Sequence, residues 1–122
     1  MGYRSDVTIA FYARHNPAEQ YPLLKLWFDE NYPKHDFCEV EYRPEQGAII
    51  VWYQAVKWYD GYPEVEATAA AIEKFVGTFN AHEDEGWAYE SVRVGEETTD
   101  IEEHQSTYHD YKLGVSRTIH FD

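Results

Sequence analysis

One run of residues constrains the fold of this chain more than any other feature. Residues 48–59 read Ala-Ile-Ile-Val-Trp-Tyr-Gln-Ala-Val-Lys-Trp-Tyr, which is the most apolar stretch of the sequence. A strand with so little polar alternation is typical of a central position in a sheet, where both faces are covered or nearly so. The run therefore predicts a central strand, and it is too short to span a membrane.

Other strands are predicted on both sides of this run. Residues 6–12 alternate cleanly, with Val7, Ile9 and Phe11 on one face of the predicted strand. Residues 37–42 alternate again, and the Pro and Gly that follow them predict a hairpin leading into the apolar run. Two later segments are also strand-like: 87–94 predicts one further strand, and 108–121 predicts one or two more, with a break near Gly114.

Two helices separate these strands. The letters Asn-Pro-Ala-Glu at residues 16–19 predict a helix start, with the Asn as N-cap, the Pro at the first helical position and the Glu in a capping box. This helix should end near Asn31, because Pro33 disfavours helical geometry at the residue before it. The second helix follows the Asp-Gly-Tyr-Pro of residues 60–63 and should end around Asn80.

The order of the predicted elements is strand, helix, strand, strand, helix, strand, followed by a further β segment. This order is that of the split β-α-β pattern of ferredoxin-like folds. We therefore expect an α+β protein with a ferredoxin-like βαββαβ antiparallel sheet, two helices on one face and a C-terminal β extension, folded as a single domain over residues 1–122. The core between helices and sheet is predicted to include Trp27, Phe28, Ile50, Ile72, Phe75 and Phe79.

The charge balance limits the classes of partner. The chain has 10 basic and 23 acidic residues, which gives a formal net charge of −13 at pH 7. A protein this acidic repels the phosphate backbone of nucleic acids and anionic membrane surfaces, so we expect direct binding to neither. The single cysteine, Cys38, excludes an intrachain disulfide, and the N-terminus shows no secretory signal. Both features predict a cytoplasmic protein.

The strongest local signal is a concentration of acidic residues. Residues 83–103 carry nine carboxylates against one basic residue, Arg93. One interpretation is a solvated face that keeps the protein soluble. The other is a negative surface that meets a basic partner, in which carboxylates along a sheet edge imitate the phosphate row of a nucleic acid.

A second concentration is aromatic. Trp and Tyr residues cluster around the end of the apolar run, namely Trp52, Tyr53, Trp58, Tyr59 and Tyr62. Such a cluster is typical of a core with the Tyr hydroxyls at its rim. The alternative is an exposed patch for protein contact, because Tyr and Trp supply large contact area at low entropy cost.

A metal-assisted hydrolase is the catalytic alternative. It depends on carboxylates and histidines within residues 96–110, namely Asp100, Glu102, Glu103, His104, His109 and Asp110. Such ligands suit divalent metals, but their spacing matches neither an EF-hand loop nor an HExxH motif. Cys38 lies in a predicted strand as a core cysteine, and the sequence contains no GxSxG, GxGxxG or P-loop motif. We therefore predict no catalytic residue, no metal and no cofactor.

Two segments of the chain resemble small acidic proteins encoded by phages and prophages. They are the opening Met-Gly-Tyr-Arg-Ser-Asp-Val, and Val-Arg-Val-Gly-Glu-Glu at residues 92–97 followed by Asp-Ile-Glu-Glu at residues 100–103. The resemblance implies a phage-derived protein that acts in the host cytosol. Small acidic phage proteins include antagonists of host defence, such as anti-restriction and anti-CRISPR proteins. The resemblance therefore favours that class, and it assigns no catalytic residue.

The leading hypothesis is a non-enzymatic binding protein that inhibits a host defence complex through an acidic and aromatic surface. Its partner would be a host protein or nucleoprotein complex with a basic surface. The residues predicted to bind this partner are Glu83, Asp84, Glu85, Glu96, Glu97, Asp100, Glu102, Glu103, Trp58, Tyr59 and Tyr62. The metal-assisted hydrolase and an oligomeric structural or accessory phage protein remain as alternatives, and the sequence leaves a homodimer open.

Overall fold

The computed structural model describes residues 4–33, 37–59, 61–81, 86–97, 100–105, 113–116 and 118–121. Within these residues the chain is an α+β protein, as predicted. Its elements are β1 (Ser5–Ala13), α1 (Pro17–Asn31), β2 (Cys38–Arg43), β3 (Ala48–Val56), α2 (Pro63–Phe79), β4 (Trp87–Gly95), β5 (Ile101–Gln105), β6 (Leu113–Ser116) and β7 (Thr118–Phe121).

Five strands form one antiparallel sheet in the order β2-β3-β1-β4-β5. The apolar run forms β3, an interior strand whose first four residues are buried, although β1 takes the middle position. The strand is shorter than predicted, because it ends at Val56 rather than at residue 59. Ala55 has a φ of 51°, and its N–H donates to Asp6 Oδ1 at 2.8 Å, so the strand becomes irregular there.

Both helices pack on the same face of the sheet, as predicted. Residues of α1 and α2 share one buried cluster with alternate residues of β1 and β3. α1 begins at Pro17 and stops where Tyr32 becomes extended ahead of Pro33, and α2 stops at a left-handed Asn80. The predicted capping box is wrong, because Asn16 is itself left-handed and its side chain makes no capping hydrogen bond. No helix among the described residues is long and apolar enough to cross a membrane.

The face under the helices, called here the helix face, is filled mainly by aromatic rings. Five of the six predicted core residues lie in or against this cluster: Trp27, Phe28, Ile72, Phe75 and Phe79. The prediction for Ile50 is wrong, because it lies on the opposite face. In a uniformly apolar strand, alternation cannot show which residues face the helices, and the register against β1 decides it.

The opposite face, called here the hairpin face, is covered by the paired strands β6 and β7. Leu113 and Ile119 are buried there in a cluster that includes Ala10, Ile50 and Val92 of the sheet. The predicted C-terminal β extension is therefore present, although β6 continues through residue 114, where the sequence predicts a break, to Ser116. Residues 108–112 of the predicted segment lie outside the described residues. This C-terminal hairpin explains why β3 and β1 are apolar on both faces.

The turn between β2 and β3 brings the chain close to the start of α1. Gly47 has a φ of 61°, which a residue with a side chain rarely adopts. A Cβ atom at this position would also lie 2.5 Å from the carbonyl oxygen of Pro17. Glycine is therefore required both for the backbone conformation and for the approach of α1.

One strand of the sheet, β5, is absent from the sequence prediction. It pairs with β4 at the edge of the sheet, and its residues Ile-Glu-Glu-His-Gln are mostly exposed. A short polar segment of this kind has little strand propensity of its own. Its conformation therefore depends on the ladder with β4.

Candidate functional site

Within residues 83–103, the acidic residues that the structure describes and that are not buried lie at one edge of the sheet. Glu96 and Glu97 follow β4, Asp100 immediately precedes β5, and β5 itself carries Glu102 and Glu103. We call these five residues the acidic edge. Three further residues predicted for the same surface lie outside the described residues: Glu83, Asp84 and Glu85.

Arg93 of β4 holds the centre of the acidic edge. Its guanidinium donates to both carboxylate oxygens of Asp100, from Nη2 to Oδ1 at 2.7 Å and from Nη1 to Oδ2 at 3.1 Å. It also donates to Glu102 Oε1 at 2.7 Å and to Ser5 Oγ at 3.0 Å. The hydrogen bond to Asp100 is the main cause that raises the pKa of Arg93 above its ordinary value. Arg93 therefore stays charged and fixes two carboxylates beside β5.

The segment between β4 and β5 is anchored to the sheet. Gly95 N donates to the carbonyl oxygen of Asp100 at 2.8 Å, and Asp100 N donates to that of Glu97 at 3.0 Å. Glu96 Oε2 accepts a hydrogen bond from Arg4 N at 2.7 Å, just before β1. Glu96 and Glu97 are nevertheless exposed, so their carboxylates meet solvent.

β5 presents acidic residues on both faces of the sheet. Glu102 lies on the helix face opposite Arg93, and Glu103 lies on the hairpin face opposite Val92. Ile101 is 40% exposed beside them. Among the strands that the structure describes, β5 is the last in the sheet order, so its outer backbone groups have no neighbouring strand. Charged side chains on such an edge discourage pairing with a further copy of the same strand.

One acidic residue of the segment is not on the surface. Glu90 of β4 is 1% exposed and lies beneath the C-terminal hairpin. The Tyr12 hydroxyl donates to Glu90 Oε2, and Leu113 N donates to Oε1 at 2.9 Å. Neither interpretation of residues 83–103 as a surface holds at this position. Glu90 instead ties the sheet to the hairpin.

The predicted aromatic cluster divides into a buried part and an exposed part. Tyr53 is buried, its hydroxyl lies 2.8 Å from that of Tyr32, and burial raises the pKa of Tyr53 to about 12. Trp58 is half-buried and packs on Tyr53, with 4.9 Å between ring centroids. Tyr59 contacts Tyr62 edge-on at 5.3 Å, and Tyr62 is 40% exposed. Of the three aromatic residues predicted to bind a partner, Tyr62 is therefore the most exposed.

A cleft of about 200 Å³ lies between α2 and the β4–β5 edge, and we call it the α2–β5 cleft. Val65 and Ile72 line it on the α2 side, and Glu102 and His104 line it on the β5 side. Trp58 also lines the cleft. The cleft therefore joins one residue of the aromatic cluster to one residue of the acidic edge.

The predicted group of carboxylates and histidines is only partly described. His109 and Asp110 lie outside the described residues. Glu102 Oε2 lies 3.8 Å from His104 Nε2, whereas Glu103 lies on the other face of β5. In the part of the chain that the structure describes, no group of three or more His, Cys, Asp or Glu residues could hold a metal ion. Cys38, predicted to be a core residue, is half-buried against the helix-face cluster.

Two features of the site are missing from the sequence prediction. The sequence contains a signal for the role of Arg93, because it is the one basic residue among nine carboxylates and lies on a predicted strand. The sequence also contains a signal for Glu90, because it shares a strand face with Ala88 and Val92. A lone carboxylate on an apolar strand face indicates a buried and hydrogen-bonded group.

No protein-family model, no characterised protein and no solved structure matches this chain. Evidence for a function therefore comes from the acidic edge and from the resemblance of the two sequence segments.

Proposed function

We propose that the protein is a non-enzymatic binding protein whose acidic edge docks against a basic surface of a host macromolecular complex. The observation that carries this proposal is the placement of five carboxylates along one edge of the sheet, two of them held by Arg93. Side chains that are already held in place lose less conformational entropy when a partner binds. Asp100 and Glu102 are therefore preorganised for binding a basic surface.

The acidic edge keeps a negative charge after Arg93 is counted. Glu96, Glu97 and Glu103 are exposed, and Arg93 supplies one positive charge to the whole group. The field of such an edge speeds encounter with a basic surface and repels nucleic acid. A row of carboxylates can also occupy a groove that otherwise receives phosphates, which is the basis for mimicry of nucleic acid.

The biological setting of this proposal comes from the sequence. The two segments that resemble phage and prophage proteins support a role in the host cytosol. Complexes with basic grooves in that setting include the nucleic-acid-binding enzymes of host defence. We therefore propose that the protein inhibits a host defence complex, of the anti-CRISPR or anti-restriction type, by covering its basic groove.

We also propose that the sheet is an elaborated ferredoxin-like fold. The β-α-β-β-α-β order of the first six elements, the strand order β2-β3-β1-β4 and the two helices on one face support this assignment. The additions are β5 at the edge and the C-terminal hairpin on the other face. β5 builds the acidic edge, and the hairpin covers apolar residues of β1 and β3.

A phage-plating assay tests the proposed function. The protein is expressed in host cells that carry an active CRISPR or restriction system, and phage plating efficiency is measured with and without it. We expect the parent protein to restore plating and the triple variant Glu96→Lys, Glu97→Lys, Glu103→Lys to lose this effect. The variant keeps Asp100 and Glu102, so the contacts of Arg93 are preserved.

A matched control moves the same charge change to another surface. Glu19, Glu66 and Glu73 are exposed on the two helices, and replacing all three with Lys should leave the effect on plating intact. Equal loss in both triple variants would mean that net charge alone matters, and full activity in both would mean that the acidic edge is only solvated. Either result overturns docking at this edge, and a parent protein without effect on plating overturns the role in host defence.

A further inference from the structure

The α2–β5 cleft has two sides of different chemistry. Val65 and Ile72 make the α2 side mainly apolar, and Ile9 adds to the apolar surface from the sheet. On the β5 side, the side chains of Glu102 and His104 are 55% and 64% exposed. A molecule that fits this cleft must therefore combine an apolar stem with a polar end.

Glu102 has one carboxylate oxygen that Arg93 does not use. Oε1 accepts from Arg93 Nε at 2.7 Å and also lies 2.6 Å from Arg93 Nη2. Oε2 lies 3.8 Å from His104 Nε2, which is beyond hydrogen-bonding distance. Arg93 also lines the cleft, but it pairs with Asp100 as well as with Glu102, so these three groups together keep one negative charge. Oε2 therefore keeps acceptor capacity for a donor that enters the cleft, and a cationic donor makes the stronger hydrogen bond.

The size of the cleft and its aromatic lining narrow the occupant further. Its volume is about 200 Å³, whereas pockets for drug-sized ligands measure roughly 300–1,000 Å³, so the cleft suits a single long side chain. Trp58 lines it, and an indole ring attracts cations, planar guanidinium groups above all. The methylene stem of an arginine packs on apolar surface while its charged head stays at the rim.

We infer that the α2–β5 cleft receives an arginine side chain of the basic partner. This inference rests on the proposed function, because the partner's basic surface supplies the arginine. The guanidinium donates to Glu102 Oε2 beside Trp58, and the stem packs against Val65 and Ile72. Arginine anchors in pockets of this kind carry a large share of the binding energy of an interface.

Titration with Nα-acetyl-arginine N-methylamide, followed by ¹H–¹⁵N NMR, tests the cleft without any partner protein. We expect saturable shifts at the backbone amides of Val65, Ala69 and Ser91, which line the cleft. The citrulline analogue has nearly the same shape and no charge, so it should cause no such shifts. The full chain is used in both titrations.

Two variants test the cleft from its two sides. Glu102→Gln removes the charge of the acceptor, and Ala69→Phe fills the cleft without changing any charge. Each should weaken binding of the arginine derivative by about tenfold or more, Glu102→Gln through the loss of a charge-assisted contact and Ala69→Phe through the loss of space for the side chain. Glu19→Gln, at an exposed position of α1, and Ala70→Phe, at an exposed position of α2 outside the cleft, should bind like the parent. Thermal melting of each variant verifies that it is folded.

Several outcomes would overturn the inference: shifts that do not saturate, equal shifts with citrulline, or binding that survives both Glu102→Gln and Ala69→Phe. In that case the proposed function still stands if the Glu96, Glu97 and Glu103 triple variant loses its effect on plating. Conversely, specific arginine binding in the cleft, together with a triple variant that keeps its effect, retains the cleft and overturns docking at the acidic edge.

Discussion

The helix face of the sheet is filled mainly by aromatic rings, whereas the hairpin face buries a carboxylate beside Tyr12 among mostly aliphatic side chains. On the helix face, the ring of Phe75 lies 4.9 Å from that of Phe11, 5.3 Å from that of Trp27 and 5.1 Å from that of Phe79. On the hairpin face, Glu90 is as deeply buried as these rings and accepts a hydrogen bond from the hairpin itself.

The difference shows how each layer is fixed in place. Burial and dispersion hold the helix layer, and these forces have little directional preference. A buried carboxylate requires its donors at defined positions, because an unpaired buried charge costs several kcal/mol. Tyr12 and Leu113 supply these donors. The hairpin must therefore lie where Leu113 N can donate to Glu90. We therefore expect the helix face to contribute most of the stability, and the contacts of Glu90 to fix the position of the hairpin on the sheet.

The largest effect on stability should come from removing a ring at the centre of the aromatic cluster on the helix face. Phe75→Ala removes a fully buried ring that contacts four others, and it should lower the free energy of unfolding by about 3–5 kcal/mol. Urea denaturation measures the change. Leu26→Ala on α1 is the control, because Leu26 is 56% exposed and its replacement should have little effect. Similar midpoints for the two variants would contradict the assignment of the aromatic layer as the main source of stability.

A smaller effect should come from the buried carboxylate. Glu90→Gln keeps one acceptor oxygen but places an amide N–H₂ group against one of the two donors. We expect a loss of about 1–3 kcal/mol, with faster hydrogen exchange in β6 and β7 than in α1 and α2. Glu103→Gln, an exposed change on the same face of the neighbouring strand, should leave both quantities unchanged. Uniform loss of protection across the whole chain would show that the hairpin is not a separately held layer.

The two faces also differ in how far the sequence predicts them. The alternation in residues 6–12 predicts that Val7, Ile9 and Phe11 share a face, and helical spacing predicts that Trp27 and Phe75 are buried; all five lie in one cluster. These predictions succeed because the period of the apolar residues in a long segment shows which side of it is buried. The hairpin face is predicted less well. β3 is apolar on both faces, so its sequence does not assign Ile50 to either of them, and only pairing with β1 does.

The acidic edge is predicted as a sequence segment but not as a structure. Local composition identifies the carboxylates of residues 96–103, but β5 is too polar and too short to be read as a strand. The Arg93 contacts and the α2–β5 cleft depend on bringing β4, β5 and α2 together, which requires the tertiary fold. Glu90 shows the reverse error, because composition alone groups a buried hydrogen-bonded residue with exposed ones.

Within the helix face, one polar contact provides a sharper comparison. The hydroxyls of Tyr53 and Tyr32 lie 2.8 Å apart in the core, so Tyr53→Phe should lower stability near neutral pH by about 1 kcal/mol. Tyr62→Phe, at a position that is 40% exposed, is the control and should change little. Urea denaturation at neutral pH measures this step. An equal effect of both substitutions would mean that the buried hydroxyl pair does not stabilise the fold.

At alkaline pH, the stability lost through Tyr53→Phe relative to the parent should become smaller. Burial raises the pKa of Tyr53 to about 12, whereas an unfolded tyrosine titrates near about 10. The folded state therefore binds the proton more tightly, and the stability of the parent is complete below about pH 10 and falls as the pH rises towards about 12. Tyr53→Phe lacks this group, so its stability should fall less steeply in that range. Urea denaturation at several alkaline pH values checks the slope, and parallel curves for parent and variant would contradict the prediction.

The smallest effect should come from the cation–π contacts at the rims of the two layers. On the hairpin face, the Arg43 guanidinium carbon lies 5.2 Å from the centre of the Phe121 ring, and Nη1 donates to the Phe121 carbonyl at 3.4 Å. On the helix face, Lys25 Nζ lies 5.0 Å from the centre of the Tyr42 ring. Arg43→Gln should lower the free energy of unfolding by about 0.5–1 kcal/mol, because it frees the end of β7. Lys25→Gln should leave the urea midpoint unchanged, because water screens the charge of a lysine whose side chain is 38% exposed. Equal shifts of the urea midpoint in the two variants would contradict a greater dependence of the hairpin face on directional contacts.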